Sequence, residues 1–348
     1  MLRHRIEVAL RLLGWAIIAA LLLVVVFRLV AWDDVQVFAM ADALGMIVYL
    51  PAWVVGIAAA VTRRWLLLGA SVAVVVAQLA FGLPELTAAT PIPAAARHAF
   101  TFRLFDANVY QGNPSMAGYA AQLRAYRADL TTLEEASPND LRQLEQTGVL
   151  SSMPYVYDIP RFDSRALVIA SRYRLGPVHL SSVDGLVFLT RTSLHLPVGT
   201  IPLWVVHTTA PVNPGWKLWD DELADVDQLL RTRASGPLLM VGDFNATWGN
   251  RWFRSILDTG LTDAAAARGE PFDMTWSQMF FLLPPLLRID HVLTTPNVVV
   301  TTIHSGQGPG SDHRDLTATV AVLSTGRHTS GVSRRAADTG SAKVRPNG

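Results

Sequence analysis

The chain has 348 residues, 51% hydrophobic and 16% charged, with 29 basic against 28 acidic side chains and a formal net charge of +1. A globular chain carries about 25% charged residues, so this composition points to membrane segments, and the near-balance of charge gives no chain-wide bias toward nucleic acid. Cysteine is absent, which excludes disulfides and thiolate metal sites and leaves the compartment open.

Three apolar stretches come first. LLGWAIIAALLLVVVF (12–27) has no charge, VFAMADALGMIVYLPAWVVGIAAAV (37–61) has only Asp42, and WLLLGASVAVVVAQLAFGL (65–83) has none. Each approaches or exceeds the roughly 20 residues that cross a bilayer as a helix, so transmembrane helices are expected at about 10–30, 37–61 and 65–83, within a membrane region 1–83. A cleavable signal peptide would account for the first stretch alone. Arg3, Arg5 and Arg11 precede the first stretch and Arg63–Arg64 separate the second from the third, whereas Asp33 and Asp34 lie between the first two. Arginine excess marks the cytoplasmic side, so the expectation is a multi-pass protein of the plasma membrane. Its N-terminus is cytoplasmic and everything after the third span lies outside the cytoplasm.

Residues 84–99, rich in Pro and Ala, read as a linker to a soluble domain at 100–323. The tail 324–348 is polar, Gly/Ser-rich and basic, and is expected to be disordered. Within the domain, strand-like runs recur: FTFRLFDANV, RALVIAS, GLVFLT, IPLWVVHT, PLLMVGD, RIDHVL and LTATVAVL. Between them lie helical patterns. Tyr119, Leu123 and Tyr126 share one face. Ser137, Pro138 and Asp140 form an N-cap, a first-turn proline and a capping box. Leu223, Val226 and Leu230 are at helical spacing. The mixture predicts an α/β or α+β sandwich. Neither a dinucleotide fingerprint nor a P-loop occurs.

Polar residues cluster where strands end, the usual place for ligands in layered α/β folds. Asn108 closes the first strand, Glu134 and Glu135 the next, then His207, then Asp243 and Asn245; Asp290 lies inside an apolar run, and Asp312 and His313 follow a Gly-rich turn. Singly, each has an ordinary explanation. Asn108 suits a helix cap, one of the two glutamates a solvated strand end, His207 a core histidine and Asp243 an Asx-turn. Together they supply hard oxygen donors and imidazoles without thiols, a set that suits Mg²⁺, Mn²⁺ or Ca²⁺. A cation with imidazoles suits phosphoryl ester cleavage.

The ordered series ANVYQGN, DLTTLEE, SRALVIASRYRL, VVHT, GDFN, TW, RIDHVL and GSDHRDL resembles the endonuclease/exonuclease/phosphatase superfamily over residues 100–323. The N-terminal spans give it the look of the bacterial membrane-anchored branch. The resemblance implies a four-layer αββα sandwich of deoxyribonuclease-I-like fold, with the site at one end of two facing sheets. It also implies roles. Asn108, Glu135 and Asp312 would contact a divalent metal, with Glu135 in place of Glu134 as the principal ligand. His207 would donate to phosphate, Asn245 would hold phosphate and Asp243 would orient or activate the water. Asp290 would orient His313. Tyr110 stands where some relatives carry Asp, and Asp315 where Pro is frequent.

The leading expectation is a membrane-tethered, metal-dependent phosphoesterase acting on phosphodiesters, nucleic acid among them. A phospholipid or phosphoinositide phosphatase or phospholipase of the same fold is the alternative, to which the apolar stretch 277–287 is relevant. Arg161, Arg165, Arg172, Arg174 and Arg191 are the candidates for a basic groove. A non-catalytic membrane-anchored binding module is the third reading. The expected partners are the substrate and the bilayer, and no protein partner is inferred.

Overall fold

A computed structural model describes residues 1–114, 116–159, 166–277 and 284–323. The tail expected to be disordered, Arg161, Arg165 and most of the apolar stretch 277–287 lie outside the described residues. The N-terminal quarter is helical: α1 (Leu2–Val30), α2 (Gln36–Ala43), α3 (Pro51–Val61) and α4 (Trp65–Leu86). There follow β1 (Phe100–Asn108), α5 (Ala117–Tyr126), β2 (Leu130–Glu134), α6 (Pro138–Gln146), β3 (Tyr155–Ile159), β4 (Leu167–Ser171), β5 (Arg174–Leu175), β6 (His179–Val183), β7 (Leu186–Leu196) and β8 (Gly199–His207). The chain continues through α7 (Trp216–Thr232), β9 (Leu239–Asp243), α8 (Arg251–Leu257), β10 (Thr262–Asp263), α9 (Ala264–Ala267), β11 (Asp290–Thr294), β12 (Val298–Ser305) and β13 (Leu316–Val322).

The strands form two sheets, ordered β12-β13-β1-β2-β4-β3 and β10-β11-β9-β8-β7-β5, with β6 paired to β7. Among the described residues only β1/β2 and β8/β9 run parallel, and each of these pairs is joined by a crossover helix, α5 and α7 respectively. Side-chain alternation lets both faces of each sheet be apolar. Leu104, Leu130 and Ile169 of one sheet meet Leu203, Val241 and Val292 of the other in a shared core. The opposite phase points outward. Phe105 and Leu133 pack on Tyr119, Leu123 and Leu144 of α5 and α6. Met240 and Leu293 pack on Trp219, Leu223 and Phe253 of α7 and α8. The domain is therefore a mixed α/β sandwich with helices on its outer faces. The capping box on α6 forms as expected: Ser137 Oγ accepts from the Asp140 backbone while the Asp140 carboxylate accepts from the Ser137 backbone.

Two helices, α1 and α4, are long and apolar enough to cross a membrane. The second apolar stretch is not the single helix expected over 37–61. Gln36–Ala43 and Ile47–Val61 meet at a bend of 96°. Gly45 takes a left-handed φ of +54° in the break, a conformation that glycine adopts without strain. The domain also claims α2. Ala39 joins the core cluster of α7 and α8. Gln36 donates to the Pro211 carbonyl (3.2 Å), Asn250 to the Ala39 carbonyl (3.1 Å) and Thr247 to the Ala43 carbonyl (3.0 Å). A Cβ on Gly249 would meet the Asp42 carbonyl at 1.6 Å, so the two backbones touch there. Asp42, the one charge in this stretch, pairs with Arg28 at 3.1 Å.

The α4 end is fastened as well. Arg288, buried, bridges Glu85 (3.1 Å) and Asp263 (3.0 Å). Pro211 follows β8, residues 247–250 follow β9, and Arg288 precedes β11. These contacts all lie in loops at one end of the second sheet.

Candidate active site

The same end of the sandwich collects the polar residues. In β1 the inward phase that carries Phe102 and Leu104 continues to Asp106 and Asn108, and in β8 Leu203 and Val205 lead to His207. Leu239 and Val241 lead to Asp243 in β9, while Val292 shares a phase with Asp290 in β11. Register then places them side by side. Asp243 pairs with His207 on one flank and Asp290 on the other, and Asn108 pairs with Glu134.

Glu134 and Glu135 divide differently from the simple expectation of alternation. The inward phase belongs to Glu134, which is fully buried against Asp106. Burial and then the Asp106 charge push its carboxyl well above the usual range. Glu135 reaches the cavity because the chain turns there with φ +59°. Its Oε2 accepts from the Gln111 backbone (2.7 Å) and its Oε1 from Asn108 Nδ2 (3.1 Å).

A cavity of about 270 Å³ opens here, lined by Asn108, Glu135, His207, Asp243, Asn245, Asp312 and His313, among others. Asp290, the remaining expected site residue, sits behind the wall, 1% exposed. Its carboxylate meets His313 Nδ1 at 2.9 and 3.1 Å. That leaves His313 Nε2 directed toward Asp243 Oδ2, 3.8 Å away. His207 Nε2 lies 3.7 Å from Glu135 and 4.0 Å from Asp243. The Asx-turn reading of Asp243 also holds: Oδ1 accepts from the Asn245 backbone (2.8 Å). Its Oδ2 accepts from Asn108 (3.2 Å) and faces the cavity. Asn108 Oδ1 accepts from the Tyr110 backbone (3.0 Å), so it caps a turn and no helix. Asp312 accepts from Trp276 Nε1 at 2.9 Å.

The carboxylates outnumber their cationic partners. Burial, then the Asp290 charge, pushes Asp243 up to about 8. Burial also raises Glu135, against the Gln111 and Asn108 donors. Burial alone would lower His313, but Asp290 and then Asp243 outweigh it and push the imidazole up to about 10. Such a pocket of hard, incompletely neutralised donors fits a divalent cation. Asp243, Asp290 and His313 present ligand atoms all within 4.8 Å of one another. Because Asp290 is already engaged by His313, the carboxylates that face the cavity are those of Glu135, Asp243 and Asp312.

Sequence reasoning missed Asp106, Thr208, Thr209 and the role of Glu222. Thr132 donates to Asp106 at 2.5 Å beneath the site. Thr208 and Thr209 line the cavity, and buried Glu222 of α7 accepts from the Thr209 backbone (2.6 Å). Asp106 carried a signal, since an acid on the apolar phase of a strand demands a partner. No local pattern marks the other three. Among the described residues no Lys or Arg lines the cavity; Arg172 pairs with Asp129 and Arg191 stacks over Trp204.

The sequence profile of the Endonuclease/Exonuclease/phosphatase family matches residues 107–313. No curated protein matches. Among solved structures, D. rerio TDP2 complexed with single strand DNA product is similar with a TM-score of 0.53 at 14% identity, covering 64% of this chain and 99% of that one. The 3' phosphatase NExo from Neisseria, bound to a product DNA hairpin, gives 0.52 at 19% identity, covering 62% and 98%. An endonuclease/exonuclease/phosphatase from Beutenbergia cavernae DSM 12333 gives 0.51 at 16% identity, covering 64% and 72%. At these identities the likeness shows the fold. The metal-binding cluster and the profile together make the protein a metal-dependent hydrolase. The chain belongs to the Endonuclease/Exonuclease/phosphatase family.

Proposed function

We propose that the protein is a membrane-tethered phosphoesterase that hydrolyses phosphodiester bonds outside the cytoplasm with Mg²⁺ or Mn²⁺, in the membrane-anchored branch of the family. The observation that carries the chemistry is the oriented His313. Asp290 holds Nδ1 at 2.9 Å, so Nε2 is presented toward Asp243 at the cavity. Glu135, Asn108 and Asp312 would hold the divalent cation, which when bound supplies positive charge to the phosphate oxygens and lowers the proton affinity of water. Asn245 and His207 bind phosphate oxygens. Asp243, which the bound cation would hold as a carboxylate, orients the attacking water and takes its proton. His313, protonated against Asp290, gives a proton to the departing alcohol oxygen.

The arginine pattern and the helix directions support the membrane reading. Arg11 and Trp15 of α1 line one groove with Arg64–Leu67 at the start of α4, whereas Glu85 at the other end of α4 meets the domain. The 22 residues of α4 span about 33 Å, the thickness of a bilayer core. This puts the arginines on the side away from the catalytic domain. Activity of the purified full-length chain on bis(p-nitrophenyl) phosphate, with Mg²⁺ or Mn²⁺ and with chelator, tests the chemistry. Turnover that survives chelation, or in both Glu135→Gln and His313→Ala, refutes it. Protease accessibility of the domain in intact cells tests the topology.

A further inference from the structure

We propose that the cavity takes a phosphate ester carried by a lipid of the same bilayer, in place of a soluble polymer. The proposal rests on the membrane-tethered phosphoesterase reading and narrows its substrate.

The geometry points that way because the docking of the helices and the active site use the same loops. Ala210 lines the cavity, and the next residue, Pro211, accepts from Gln36 of α2. Asn245 lines the cavity, and Thr247, two residues on, donates to Ala43 at the end of α2. Consecutive Cα atoms are about 3.8 Å apart, so no more than about 8 Å of chain separates cavity wall from docked helix. α2 joins two membrane segments and turns Ala39 and the Asp42 carbonyl to the domain, while Val37 and Met40 are 64% and 45% exposed. An outward apolar face at that level suits the headgroup–acyl boundary. Phe272, 65% exposed, shares a groove with Leu286, Leu287 and the turn after α2, and so extends the apolar rim.

The lining of the cavity agrees. A nucleic-acid strand is held by repeated cationic contacts to its phosphates, and no Lys or Arg among the described residues lines this cavity. Asn245 and His207, which line the cavity, offer donors to the oxygens of a single phosphate. The reaction balances without a co-reactant. The water oxygen forms the new P–O bond as the ester P–O bond breaks. Asp243 receives the water's proton and His313 supplies one to the departing alcohol.

The test uses the full-length protein reconstituted in vesicles of phosphatidylethanolamine and phosphatidylglycerol with Mn²⁺. Parallel arms supply the water-soluble glycerophosphodiesters of the same headgroups, single-stranded DNA and bis(p-nitrophenyl) phosphate. Bilayer lipid should turn over on the order of tenfold faster than the soluble headgroups at equal bulk phosphate, because confinement raises effective concentration. Gly249→Ala, which forces α2 off the domain, and the milder Gln36→Ala should each reduce lipid turnover severalfold and leave bis(p-nitrophenyl) phosphate turnover unchanged. Faster cleavage of DNA, equal rates on lipid and soluble headgroup, or unchanged lipid turnover in both variants would overturn the lipid assignment while the phosphoesterase reading stands. Failure to cleave any arm, bis(p-nitrophenyl) phosphate included, overturns both.

Discussion

Arg288 gives the sharpest test of how the helices and the domain are joined. Its guanidinium is 4% exposed and sits between Glu85 at 3.1 Å and Asp263 at 3.0 Å. Arg288→Met keeps much of the packing volume and removes the charge. Asp263, 1% exposed at its side chain, would keep Trp248 Nε1 at 2.6 Å, the Ala265 backbone at 3.0 Å and His291 at 3.3 Å. Breaking a buried pair costs about 3–5 kcal/mol, and the surviving neighbours place this one near about 3 kcal/mol. For a domain of this size that is a fall in Tm of about 6–12 °C. Tryptophan fluorescence during thermal unfolding in detergent measures it. Burial alone would raise Asp263, but Arg288 and then His291 hold it below the usual carboxylate range. An acid lowered in the folded state stabilises above its unfolded pKa, about 3.9, and loses that contribution as pH falls through the folded value. The deficit of Arg288→Met should therefore persist down to about pH 4 and shrink only below it, and adding Asp263→Asn should recover at least half of it at neutral pH. A fall below about 2 °C, or no recovery in the double variant, would refute the ion-pair account.

Other consequences are as direct. Asp290→Asn should leave His313 unoriented and lower kcat by about 10²–10⁴-fold with little change in folding, measured on bis(p-nitrophenyl) phosphate. Glu135→Gln should raise the Mn²⁺ concentration needed for half-maximal rate by at least about tenfold, because a buried anionic donor is lost. Asp243 is raised in the folded state, so its stabilising contribution is complete below its unfolded pKa and is lost as pH rises through about 8. A divalent cation replaces the proton, so the Tm increment from Mg²⁺ should be larger at about pH 8 than at about pH 6. Ser137→Ala removes the capping box on α6 and should cost about 1 kcal/mol in chemical denaturation without affecting rate.

Much of the domain was legible because its periods are clean. β1, β8 and β9 combine buried apolar runs with a polar terminus, and Ser137–Pro138–Asp140 announces α6. β12 went unread, although VVVTTIHS is rich in β-branched residues and Thr295-Pro296-Asn297 marks the turn that separates it from β11. β5 and β10, two residues each, are too short to carry any period. At the site, strand phase correctly aligns Asn108, His207, Asp243 and Asp290. It cannot anticipate Glu135, which enters through a left-handed turn. The second apolar stretch misled for a related reason. Hydropathy registers that 37–61 is apolar, but not that Ala39 and the Asp42 carbonyl meet a folded domain that lies two hundred residues later in the chain.

The register of β9 against its neighbours has a consequence for assembly. His207, Asp243 and Asp290 are consecutive rungs across three strands, and each occupies the phase that faces the other sheet. A slip of one residue in any of the three would turn its polar end outward and bury the wrong neighbour. Chains that mispair would bury similar amounts of Leu and Val, yet could not gather the ligands. Cation binding is therefore a readout of correct strand pairing: in refolding, metal-dependent protection should appear only when β8, β9 and β11 have all found their places.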